Sequence, residues 1–164
     1  MPFEIPQNIH PNVAPFAWLL GSWEGGGDGD YPTIEKFRFG QEVLFQQDGR
    51  PFMHYMARAW VLDDDGNKVR DAAQETGFLR CQEDGQVEML LSHNTGFSEL
   101  LLGKVDGAKL ELATDAVVRS ETAKEVTAGH RLYGLVEGDL WFAFDMAAVG
   151  QELQPHLWGK LVRI

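Results

Sequence analysis

Apolar positions recur at every second residue along most of this chain, and that period belongs to half-buried β-strands. Thr33, Glu35, Phe37, Phe39, Gln41, Val43 and Phe45 fall on one face, opposite Lys36, Arg38 and Glu42. Val87, Met89, Leu91 and His93 share a second such face, and Leu140, Phe142, Phe144 and Met146 a third. Between the runs stand Asp48-Gly49, Asp65-Gly66, Asp84-Gly85 and Asp106-Gly107, with Gly138-Asp139 as a fifth turn. These pairs tolerate the positive φ that tight hairpins require. The only helical candidate is short, Val13 to Leu20, ended by Gly21. Roughly ten strands joined by brief reversals result. Sequential antiparallel strands escape free edges by closing on themselves. The pattern therefore predicts an all-β fold, a single closed up-and-down antiparallel barrel with a short N-terminal helical turn. A two-sheet sandwich competes, but the connections are too short for Greek-key crossings. We read one domain over 1–164, with a leader and short helix at 1–17 and the barrel at 18–164.

Composition narrows the class. The 164 residues include ten Phe and five Trp and are 44% apolar, enough for a real core and too apolar for a disordered chain. No run approaches the ~18 apolar residues of a membrane helix. Met1 to Pro6 lacks the basic start and apolar centre of a signal peptide, so the expected address is the cytoplasm. The single cysteine, Cys81, excludes an internal disulfide and a cysteine-built zinc cluster. A net charge of −11, with scattered Lys and Arg, argues against a nucleic-acid partner.

Several motifs lead nowhere. Gly21 to Pro32 is glycine-rich, yet Tyr31-Pro32 precludes the helix start that a phosphate loop needs. Its glycines alternate with larger residues, so they line one strand face and let another backbone or a flat ligand approach; Trp23, on that face, is expected to plug the barrel floor. Asp63-Asp64-Asp65-Gly66-Asn67 is no calcium loop, because Gln74 stands where the bidentate glutamate belongs. No H-E-x-x-H and no G-x-S-x-G supplies hydrolytic chemistry.

Histidines carry more. His54, His93, His130 and His156 lie on separate strands; a three-histidine zinc site is open, though no spacing demands it. Parity alone favours His130, with Val126 and Leu132, over Arg131 as the interior residue. His156 follows Pro155, which lacks an amide hydrogen and marks where regular pairing begins, so the imidazole sits at a rim. A rim imidazole can ligate a metal or an iron porphyrin. The last strand is apolar on both parities, and alternation does not decide which way His156 faces.

Taken together these residues resemble the nitrobindin family of haem-binding, fatty-acid-binding-protein-like (lipocalin-like) barrels. The hallmark G-x-W-x-G-x-G is present as Gly21, Trp23, Gly25 and Gly27. It continues through Gly29-x-Tyr31-Pro32-Thr33-Ile34, Phe37-x-Phe39 and Gln41-Glu42. Glu75 to Arg80 and Met146 to Leu157 look like the family as well. The resemblance implies a ten-stranded barrel holding one b-type haem, with His156 as the axial ligand of ferric iron. It further implies Arg131 as a basic haem contact, Met146 lining the pocket, and Thr33 and Phe39 near the haem plane. The activities it implies are isomerisation of peroxynitrite to nitrate and reversible nitric oxide binding. One departure stands out: where family members carry a histidine two residues before the glutamate of E-[ST]-G, this chain has Ala73. His93 or His54 is then the candidate replacement. The competing function is a carrier for a fatty acid or other apolar ligand, with Arg131 clamping its carboxylate and His156 merely structural. Expected partners are small molecules, with a homodimer open through an exposed barrel edge.

Overall fold

A computed structural model describes residues 3–164 and shows a closed antiparallel barrel. Its strands are β1 (Gly21–Tyr31), β2 (Ile34–Gln46), β3 (Phe52–Leu62), β4 (Lys68–Cys81) and β5 (Gln86–His93). They continue as β6 (Phe97–Asp106), β7 (Lys109–Arg119), β8 (Val126–Val136), β9 (Asp139–Ala148) and β10 (Gln154–Arg163). Each strand pairs with its chain neighbours, and β1 with β10 closes the ring. Closure leaves no free edge among these strands, so the exposed barrel edge that left a homodimer open is absent among the described residues. Among the described residues no helix is long and apolar enough to cross a membrane.

Turn chemistry sets the hairpins. Asp84 and Gly85 both take positive φ (60° and 76°) in the four-residue reversal 82–85 between β4 and β5, as their expected tolerance of that region allows. At the fifth turn the positive-φ pair is Glu137-Gly138, one residue earlier than expected, and Asp139 already belongs to β9. The predicted helix is a six-residue 3-10 turn, Ala14–Leu19, with Pro15 in its first turn. Too short to stand alone, it is held by packing: Phe16, Ala17 and Leu19 are buried at one end of the barrel.

That end is plugged. Trp23 is fully buried as expected, and its indole Nε1 donates to the Leu19 carbonyl at 2.9 Å. Around it pack Phe45, Met53, Tyr55, Leu79, Met89, Leu101, Leu112 and Leu161, in one continuous core. Each such side chain contributes about 1.5–3 kcal/mol of apolar burial. The guanidinium of Arg163 lies 4.1 Å from the Trp23 ring and 3.7 Å from that of Phe3, and it donates to the carbonyls of Leu20 and Trp18, fastening β10 to the leader. The opposite end, where β1 meets β2 and β10 begins, carries only a small apolar cluster of Tyr31, Phe97, Val126 and Ala148, with Val117 and Met146 against it. This second end is the mouth.

The glycine-rich strand serves the wall itself. A Cβ on Gly25 or Gly27 would overlap the β10 carbonyl oxygens of Lys160 or Trp158, so β1 and β10 approach as only glycine permits. At Gly29 the same space holds the ring of Phe37. Of the two expected visitors, another backbone is the one that comes close.

Candidate functional site

Pairing in β10 begins at Gln154 opposite Met146, one residue before Pro155, which sits opposite Asp145. The register then jumps to Leu157 opposite Phe144. His156 is thus the extra residue of a β-bulge, and a bulge re-aims the side chain it carries. Its ring meets inner-wall residues: the Tyr31 ring edge-on at 5.3 Å and Phe37 at 6.5 Å. Nδ1 lies 3.0 Å from the Asp30 carbonyl oxygen. A carbonyl only accepts, so Nδ1 holds the proton and Nε2 keeps the lone pair. Burial pushes the imidazole pKa below its usual 6.5, outweighing the Asp30 hydrogen bond, so the ring is neutral at neutral pH. Tyr31 steadies the rim: its hydroxyl donates to the Met146 carbonyl at 3.0 Å and accepts from the Ala148 amide at 2.9 Å.

Across the barrel runs a belt of polar groups. Arg131 is 7% exposed, its Nη2 donating to the Glu75 carboxylate at 2.6 Å and its guanidinium stacked 4.2 Å from the Phe144 ring. Burial opposes that charge, but Glu75 more than restores it. Beside it the His93 Nε2 meets Glu99 at 2.6 Å, and the Thr114 hydroxyl donates to the other Glu99 oxygen at 2.8 Å. Burial raises the Glu99 carboxyl, yet the His93 hydrogen bond, the Arg131 charge and Thr114 together hold it below its ordinary range. Glu99 is therefore an ionised acceptor.

The expected parity of β8 is overturned here. Val126 pairs with Ala148 and Ala128 with Ala147, so Thr127 is a bulge that shifts the alternation. Val126 and Arg131 consequently both face inward, while His130 turns out to bond Glu111 at 2.9 Å. The resemblance placed Arg131 inside and parity did not.

Of the other expected residues, Phe39 is buried, tilted against Phe142 at 6.1 Å, and Met146 packs on the mouth cluster. Thr33 is exposed in the β1–β2 turn and not on the strand face expected for it. His93 faces inward, whereas His54 faces out, bonding Thr76 Oγ1 at 3.2 Å and lying against Phe78. Between the two candidate replacements for the missing group, only His93 reaches the interior. Ala73 is exposed at the mouth end of β4. Glu75, Glu99 and Thr114 escaped the reading of the sequence. Glu99 had a signal, since it alternates with Phe97 and Leu101 on an apolar face. Cys81 is buried with its thiol pushed up to about 12, which leaves it a packing residue.

Among the described residues no three His, Cys, Asp or Glu side chains converge to hold a bare metal ion. The donor set is a single neutral imidazole, oriented by a backbone carbonyl and walled by aromatic rings. That set suits a group bringing its own equatorial ligands. Fold and mouth together define an antiparallel ligand-binding barrel. The chain belongs to the family described as THAP4-like, heme-binding beta-barrel domain, which it matches over residues 12–163. It is 66% identical to a peroxynitrite isomerase of Nocardioides sp., covering 99% of both chains. It is 42% identical to a ferric nitrobindin-like protein of Cutibacterium acnes, again over 99% of both. The crystal structure of Rv2717c from M. tuberculosis superposes with a TM-score of 0.85 at 37% identity, over 95% of this chain and 99% of that one.

Proposed function

We propose that this chain is a haem-dependent peroxynitrite isomerase of the cytoplasm, with one b-type haem held through His156 Nε2. The observation that carries the reading is the His156–Asp30 bond, which fixes the tautomer and leaves one lone pair for iron. Family membership and the names of the relatives support it. When bound, ferric haem supplies a Lewis-acidic open position for peroxynitrite, and the same position would take nitric oxide. The chain's own work is to bind and to enclose. The Asp30 carbonyl sets the imidazole plane, Tyr31 and Phe37 pack their rings against it, and Phe39, Phe142, Phe144 and Met146 give an apolar wall that keeps reacting fragments together. Arg131 would lie along the cofactor as part of the Glu75 pair rather than as a free cation.

The carrier reading loses its anchor at the same place. A fatty-acid carboxylate would need the Arg131 charge, and Glu75 already holds it at 2.6 Å. Titration of the protein with hemin tests the assignment. A sharp Soret band is expected for the parent and its loss or marked shift for His156→Ala; identical spectra would remove His156 as the ligand. With haem-loaded protein, peroxynitrite decay should quicken and the nitrate yield rise over nitrite.

A further inference from the structure

Two neighbouring strands carry apolar residues on both faces, as Met89-Leu90-Leu91 in β5 and Leu100-Leu101-Leu102 in β6. The barrel core takes Met89, Leu91 and Leu101. A half-buried strand needs one apolar face, so the outward leucines require a second reason. They belong to a continuous outer face. His54, Phe78, Leu90, Leu100 and Ala116 pair rung to rung across β3–β7, and Met56, Thr76, Ser92, Ser98 and Val118 form the next row. Phe78, Leu90 and Met56 are 44–48% exposed and Val118 74%. Neither row holds an acid, a lysine or an arginine, in a chain of net charge −11. Ion pairs flank the two rows, Arg80–Glu88 at 3.0 Å toward the plug and Arg58–Glu42 at 2.9 Å toward the mouth. An uncharged centre inside a charged rim is the anatomy of a protein interface.

The hydroxyls of this face are already engaged. Thr76 Oγ1 donates to the Tyr55 carbonyl at 2.9 Å and lies 3.2 Å from His54 Nε2, and the Ser92 and Ser98 hydroxyls bond each other at 2.8 Å. Covering them leaves none of the three without a partner. The face also has relief. Phe78 and Leu90 form a ridge, with the His54 ring 5.1 Å from that of Phe78. Past the short Thr76 and Ser92 side chains lies a groove of about 760 Å3, banked by Leu44, Met56, Arg58 and Gln74. Ridge and groove run side by side across the same strands, so a two-fold axis between them seats each copy's ridge in the other's groove. Isologous contacts demand such self-complementarity. Five strands at about 4.8 Å and four rows about 6.8 Å apart span roughly 500 Å2 in projection. Side-chain relief and the rim bring that toward the ~800 Å2 per partner of a standard interface. We propose that the outer face of β3–β7 docks a second copy of this chain about a two-fold axis, ridge into groove, with Phe78 and Leu90 as its anchors. Two acidic chains repel least where neither is charged, and Glu42 and Glu88 already hold the rim cations that would draw an anionic lipid or nucleic acid. The contact uses a wall and needs no strand edge. Its centre, β5, stands five strands from β10 counted either way round, so docking leaves the His156 wall free.

Sedimentation equilibrium on the full-length protein is the measurement. The parent should be a dimer at micromolar concentration, the weak end for an interface of this size. Phe78→Glu and Leu90→Glu should each raise the dissociation constant about thirtyfold or more, as the loss of a central anchor does. Trp141→Glu, at a position as exposed but on β9, should leave it unchanged. Raising sodium chloride from about 50 to 500 mM should tighten the dimer, because salt screens the repulsion between two acidic chains. All three substitutions are on the surface, and far-ultraviolet circular dichroism checks that each barrel is intact. A parent that stays monomeric at micromolar concentration, or folded Phe78→Glu and Leu90→Glu that associate as the parent does, would overturn the proposal. So would a dimer that Trp141→Glu breaks and these two do not, or one that salt dissociates.

Discussion

Glu99 shows what a single buried carboxylate does to this fold. It is enclosed, yet held ionised by His93, Arg131 and Thr114 against the cost of burial. Its folded pKa therefore lies below its ordinary value of 4.5. A depressed carboxylate stabilises the fold fully above the unfolded pKa, and that contribution disappears as pH falls through the folded one. Urea unfolding from neutral pH downward should accordingly show stability constant to about pH 5 and then declining. Glu99→Gln should be less stable at neutral pH and decline less steeply over the acid range. Parallel curves for parent and variant would mean that the carboxylate is not ionised in the barrel. His156 is shifted in its own way, neutral because burial outweighs the Asp30 hydrogen bond.

At the scale of strands, alternation carries most of the fold and fails where a strand gains one residue. The faces of β2, β5 and β9 follow their period-two pattern into the core, from Phe39 to Phe45, Val87 to Leu91 and Leu140 to Phe144. Strand count, the turns before the fifth and the plugging role of Trp23 were readable because each rests on local chemistry. The bulges at Thr127 and His156 were not, since a bulge is defined by the partner strand and leaves no mark on its own sequence. Both bulges matter to the site: one turns Arg131 inward and the other aims His156. Glu75 as the partner of Arg131 was equally hidden, because 56 residues separate them. The contact between β1 and β10 offers a test at this scale. Gly27→Ala forces a methyl into the Trp158 carbonyl, and overpacking of this kind costs about 1–3 kcal/mol. It should weaken hemin binding too, because the pair two rungs on, Gly29 against Leu157, sets Asp30 beside His156. Gly66→Ala meets no atom within 4 Å and is strained only by its φ of +81°, so it should cost about 1 kcal/mol and leave hemin affinity unchanged. Equal effects on hemin binding would sever the link between that wall and the imidazole.

For the molecule as a whole, the barrel divides into a plug that stabilises and a mouth that spends stability. The plug is aromatic and aliphatic throughout, whereas the interior nearer the mouth carries the Arg131–Glu75 and His93–Glu99 pairs, both largely enclosed. Enclosed ion pairs rarely stabilise relative to apolar residues of like volume, because desolvation cancels their attraction. A closed wall of ten strands can carry such groups because the core beneath them supplies the net burial. That asymmetry makes a prediction about the whole chain. Arg131→Met alone should cost about 3–5 kcal/mol, since it strands the Glu75 charge. Arg131→Met with Glu75→Leu should recover most of that loss in urea unfolding, returning near parental stability. If stability is all the pair provides, the double variant will also keep the parental Soret band and peroxynitrite turnover. We expect a folded barrel of near-parental stability with an altered Soret band and slower isomerisation, because the proposed function lays Arg131 along the haem. A double variant as unstable as Arg131→Met would show instead that the pair holds the barrel together, and the division between plug and mouth would fall.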